Sequence, residues 1–256
     1  MEDRASAHTT YRLPWVIAAG VTIVVLVLSL LVLVGLPRWF PGVGDCTASV
    51  NDRTVELGTD EAESAASVAA RSVRLKRRLR TATAAIARAV DISETDARVV
   101  ATALTGRAPH ALTCVHGGGD DESSDKLNRA GLTARADRVR RDMDRAFGPQ
   151  KVGGFAPGGV TSGHMPGSAH YEGRAVDAFF RPVNKRNRAM GWAMAQYLVA
   201  HADRLAVATV IFDGRIWTAR RASSGWRSYQ PDTSRRSAEV AAILEHRDHV
   251  HVDVAD

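Results

Sequence analysis

Residues 207–219 read VATVIFDGRIWTA. Two apolar, β-branched runs flank Asp213-Gly214, a dipeptide that signals a two-residue turn between antiparallel strands. Reading outward, residues 187–203 have helical spacing, with Met190, Met194, Tyr197 and Leu198 on the inward side. Before them, RAVDAFF (174–180) has strand composition. Residues 148–169 are rich in glycine and proline and form a long loop, preceded by an amphipathic helix over 132–147. In that helix Leu132, Ala136, Val139, Met143 and Phe147 share a stripe. After the hairpin come a short helix over 234–245 and a last strand, HVHVDV. The order is helix, strand, helix, hairpin, helix, strand, without βαβ regularity. It predicts an α+β fold with a small, mainly antiparallel sheet and flanking helices.

The acidic stretch GGGDDESSD (117–125) reads as a flexible linker. It sets the expected boundary between a domain over 126–256 and a helical segment over 37–116. In that segment VNDRTVEL turns at Asn51-Asp52-Arg53, and the Ala-rich run 59–90 predicts a helix. A second helix is expected over 94–105, capped by Ser93 and stopped before Gly106. Arg74, Lys76, Arg77, Arg78, Arg80 and Arg88 surround the first helix. They form either a solvated face or a contact for a membrane surface or wall polymer.

Residues 13–36, LPWVIAAGVTIVVLVLSLLVLVGL, contain no charge, and the run is long enough to cross about 30 Å of hydrocarbon. Trp15 and Trp39 stand at its ends. No small-x-small cleavage site follows, so the run reads as a single transmembrane anchor behind a short cytoplasmic tail, 1–12. Cys46 and Cys114 lie on the same side of it, a placement that suits a disulfide in an oxidising compartment. The expected localisation is the cell membrane, with the C-terminal domain extracytoplasmic. With 34 Lys+Arg against 28 Asp+Glu the net charge is +6, and nearly all of the basic charge is arginine. Charge alone suits nucleic acid, acidic membrane or anionic cell wall. The anchor and the cysteines place the chain away from nucleic acid.

Two stretches concentrate chemistry: SAHYEGRAVDAFF (168–180), with His170 and Asp177, and EHRDHVHVDV (245–254), with His246, His249 and His251. A catalytic zinc site needs three protein ligands from His, Asp, Glu or Cys and one open position. Gly173 lets the chain turn between His170 and the strand bearing Asp177. His249 and His251 share a strand face, so His251 can ligate while His249 stands beside a bound water. His164 reads as a loop histidine, Arg174 as a solvated strand residue, and Trp192, Trp217 and Trp226 as core or groove walls.

The pattern Ser168-x-His170-x-x-Gly173-x-Ala175-x-Asp177, followed by His249-x-His251, resembles the LAS superfamily of zinc peptidases. That group holds the D-alanyl-D-alanine carboxypeptidases and the hedgehog domain. Over roughly 130–256 the chain is most similar to domains of membrane-anchored actinobacterial cell-wall proteins. The resemblance implies Zn²⁺ on His170, Asp177 and His251, with peptidoglycan stem peptides as the partner. It offers Asp248 and His249 as catalytic groups ahead of Glu245. Asp248 stands where the carboxypeptidases carry glutamate, one methylene shorter. Their carboxylate-holding arginine has only Arg145 as a counterpart. The implied activity is hydrolysis of D-Ala-type or cross-bridge bonds. The alternative is a wall-binding module that retains the peptidase fold without turnover.

Overall fold

The computed structural model describes residues 45–118 and 124–256. The expected anchor, 13–36, its tail, 1–12, and most of the acidic linker lie outside the described residues. Among the described residues no helix is long and apolar enough to cross a membrane.

The chain begins with a hairpin, β1 (Cys46–Val50) and β2 (Arg53–Leu57), whose turn places Asn51 at φ 53°. Asn tolerates that left-handed backbone because its short polar side chain bonds locally. Strand β3 (Leu112–Cys114) pairs with the other edge of β1 in a register that sets Cys46 opposite Cys114. The two cysteines are joined by a disulfide.

Three helices fill the interval. Helix α1 (Thr59–Arg74) buries Ala62, Ala65, Ala66, Ala69 and Ala70, a stripe of small side chains that lets neighbouring backbones come close. The helix expected over 59–90 is broken: α1 stops at Arg74, Lys76 takes φ 52°, and α2 (Leu79–Val90) starts afresh. No glycine or proline marks this break. Lys76, Arg77 and Arg78 crowd the C-terminal end of α1, where positive charge is favourable. The restart buries Ala82, Ile86 and Val90. Helix α3 (Glu94–Leu104) follows, and the Ser93 side chain accepts from the Asp96 N–H as expected.

Helix α4 (Ala134–Phe147) is capped by Thr133, and its buried stripe holds Ala136, Val139 and Met143. The second sheet contains β4 (Val152–Gly153), β5 (Ala175–Phe179), β6 (Val207–Phe212), β7 (Arg215–Thr218), β8 (Arg227–Ser228) and β9 (His249–Val254). Its order is β4-β5-β9-β6-β7-β8, every neighbouring pair antiparallel. The hairpin turns at Asp213-Gly214, both at positive φ, as a two-residue turn that matches strand twist requires. The short edge strands β4 and β8 were not expected. Helix α6 (Ala238–Leu244) is shorter than its sequence span and buries no residue.

Helix α5 (Lys185–Ala200) is buried all round from Gly191 to Ala200. A Cβ on Gly191 would sit 2.2 Å from the Phe212 ring, so only glycine lets the helix lie this close to β6. Buried Gln196 accepts from the Leu112 N–H at 2.7 Å and donates to the Ala103 carbonyl at 2.8 Å. Trp217 and Trp226 donate to the carbonyls of Cys114 and Leu112. The tryptophans thus serve the core. The two stretches flanking the acidic linker share one hydrophobic cluster, and 44–256 form one compact unit.

Candidate metal centre

β9 lies between β5 and β6, in a register that sets Asp177 opposite His251 and Phe179 opposite His249. Opposed residues of an antiparallel pair project to the same side. The alternate residues Val176, Ala178, Val250 and Val252 are buried in the core. One sheet face therefore anchors the strands, and the other carries Asp177, His249 and His251.

His170 reaches this face from a short 3-10 helix, Ala169–Glu172, capped by Ser168 and ended by Gly173 at φ 66°. Its Nδ1–H donates to the Gly154 carbonyl at 2.7 Å, which turns Nε2 toward the strands. Gly154 has φ +82°, and a Cβ there would meet His170 Cε1 at 2.2 Å. The loop after β4 must therefore be glycine to seat this histidine.

Three atoms converge. His170 Nε2 lies 3.2 Å from His251 Nδ1 and 3.4 Å from Asp177 Oδ1. His251 Nδ1 lies 3.1 Å from the same oxygen. The far nitrogen of His251, Nε2, faces Asp253 Oδ2 at 3.6 Å. A tetrahedral centre with bonds of about 2.0–2.1 Å has ligand–ligand edges of about 3.3–3.4 Å. The triangle matches one face of such a centre and leaves a fourth vertex free. His170, Asp177 and His251 could hold a metal ion. Three lone-pair donors crowded together out of water need a cation between them. Burial pulls His251 down, but Asp177 and Asp253 outweigh it and hold the imidazole up at about 9. Burial likewise opposes ionisation of Asp177, and the imidazoles of His170 and His251 against it hold its carboxyl well below the usual range.

His249 Nε2 lies 3.8 Å from Asp177 Oδ1, at the rim of the triangle. Its Nδ1–H donates to Asp248 Oδ1 at 2.7 Å, and Asp248 Oδ2 accepts from Arg181 Nε at 2.7 Å. Burial raises the Asp248 carboxyl, but His249 and Arg181 bring it below its ordinary value. Arg181 also stacks 4.4 Å above the Phe179 ring. Asp248 is thus behind His249. His170, Asp177, Asp248, His249 and His251 are all buried, and His251 is the most open of the five, at 8%.

Glu245 is turned to Arg247. Arg145 lies on the surface of α4 against Asp142 at 3.5 Å, and not in the cluster. Arg174 ties the C-terminus down, pairing with Asp256 at 2.8 Å and Glu172 and donating to the Val254 carbonyl. His164, read as a loop residue, stacks on His170 with centroids 3.9 Å apart. The sequence pattern gives His246 no role. Its ring centroid lies 4.6 Å from that of His249 and 5.5 Å from that of His251. Burial pushes it down to about 3, with His249 and His251 adding to the fall. It therefore lines the site as a neutral ring. A lone histidine before a strand, at φ 53°, carries no periodic signal that would have marked it.

A family model described as "VldE, C-terminal domain" matches residues 128–240. That span includes His170 and Asp177 and ends before Asp248, His249 and His251. No curated protein and no solved structure matches the chain.

Proposed function

We propose that this chain is a membrane-anchored, extracytoplasmic zinc peptidase of the LAS type, acting on peptidoglycan stem peptides. The observation that carries the reading is the buried His170–Asp177–His251 triangle, with the Asp248–His249 pair at its rim. Two imidazoles and one carboxylate form a donor set suited to Zn²⁺, which would supply Lewis acidity and an activated water.

The protein's own groups divide the remaining work. Asp248 accepts from His249 Nδ1–H and so presents Nε2 as the basic nitrogen. His249 takes the proton of the attacking water at Nε2 and later returns it to the leaving amine. Asp248 stabilises the imidazolium formed in between, and Arg181 keeps Asp248 ionised. The shorter Asp in place of Glu thus acts through His249. The membrane anchor, 13–36, and the disulfide between Cys46 and Cys114 support an oxidising, extracytoplasmic setting.

The burial of the site favours a second reading, a wall-binding module that keeps the metal without turnover. Incubating the full chain with purified peptidoglycan fragments and Zn²⁺ separates the two. The expected outcome is hydrolysis that chelation abolishes and zinc restores, reduced about 10²–10⁴-fold in His249→Ala. Metal binding without any cleavage would favour the wall-binding module.

A further inference from the structure

A cleft of about 970 Å³ lies apart from the metal centre. It lies where the loop between α1 and α2, the turn after α3 and the start of α5 meet, and no Asp or Glu lines it. Lys76, Arg77, Arg107, Lys185 and Arg186 project around it, and none has a carboxylate partner among the described residues. Two more cations are held in place. Arg74 donates to the Arg145 carbonyl at 3.0 Å, and Arg188 pairs with Asp213 at 2.6 Å. The apolar side chains of Leu79, Phe147 and Met190 also line it.

Gathering this much like charge on one recess is costly unless an anion answers it. The break at Lys76 adds to the concentration, since a continuous helix would have spread these side chains around its axis. We propose that the cleft binds a chain of closely spaced phosphates, a linear polyphosphate. Arginine forks match phosphate oxygens two at a time. Cations drawn from three separate stretches around a concavity suit a ligand that enters it. A flat bilayer would meet only the rim. An extended acidic peptide turns alternate carboxylates away from any one surface, so it answers the charge less densely. The assignment does not depend on the metal centre or its activity.

The probe is a linear polyphosphate of about ten phosphates, titrated calorimetrically into the full chain at several salt concentrations. Saturable binding is expected, with affinity falling as salt rises. Arg77→Gln with Lys185→Gln should weaken it about tenfold or more and make the salt slope shallower by roughly one to two. Arg129→Gln with Arg220→Gln removes the same charge elsewhere on the exposed surface and should change it little. Thermal melts of both double variants should match the parent. Equal loss in the two double variants would overturn the assignment. So would equal affinity for polyglutamate of matched length, or binding to phosphatidylglycerol vesicles but not to polyphosphate.

Discussion

The His170 Nδ1–H donates to one carbonyl, that of Gly154, and Gly154 holds a left-handed conformation to present it. Gly154→Ala combines two penalties: a left-handed φ of +82° and a Cβ inside the van der Waals envelope of the imidazole. Either the loop or the ring must shift, and the ligand atom moves with it. The fold rests on a core far larger than this contact, so the variant should stay folded while metal affinity falls about 10–100-fold, the usual effect of losing a supporting contact to a ligand. Competition with a chromophoric chelator measures this. An unchanged affinity would show that Gly154 does not seat His170. The residues of the cluster were legible in the sequence, because H-x-H on a strand and a histidine separated from a strand aspartate by glycine are local patterns, and the family resemblance joined them into one candidate ligand set. Gly154, Arg181, His164 and His246 were not, because their importance comes from which loops meet above β5 and β9.

The same division holds for the secondary elements. The hairpin 207–218 and strand β9 were legible, since Asp-Gly and period-two alternation are written in adjacent residues. The break between α1 and α2 was not, because Leu75–Arg78 keep helical propensity and the restart is decided by packing of Ile86 and Val90. Strand β3 has only three residues and exists through its pairing with β1. The Cys46–Cys114 bond ties these two strands and closes a loop with a sequence separation of 68. In the chain-entropy description such a loop contributes about 4 kcal/mol. Native labelling should find no free thiol. Replacing both cysteines by serine should lower the urea midpoint by a corresponding amount. Quantitative labelling of both, or an unchanged midpoint, would remove the bond from the account.

At the scale of the whole molecule, the regions before and after the acidic linker meet through α1, α4 and α5. Tyr197 donates to Asp142, which also accepts two bonds from Arg204, and His201 shares a contact with Ser67 Oγ at 3.2 Å. Burial pushes His201 down to about 3, Arg204 adds to the fall, and Asp142 opposes it. The unfolded chain takes up this proton below about pH 6.5 while the folded chain does not, so stability falls as pH drops from about 6.5 toward 3. His246, pushed down by burial in the same way, adds to this slope, so the share of His201 between pH 7 and 4.5 should be on the order of 2 kcal/mol, and His201→Phe should make the profile shallower by about that much. Urea titrations across that range test this; an equally steep profile in the variant would place the pH sensitivity elsewhere. The central claim is the metal centre, and elemental analysis of the full chain, His249→Ala and His251→Ala after zinc loading and desalting tests it most directly. The parent and His249→Ala should each retain about one Zn²⁺ per chain, and His251→Ala should lose most of it. A parent that holds no metal, or a His251→Ala variant that keeps zinc while His249→Ala loses it, would contradict the assignment of His170, Asp177 and His251 as the ligands.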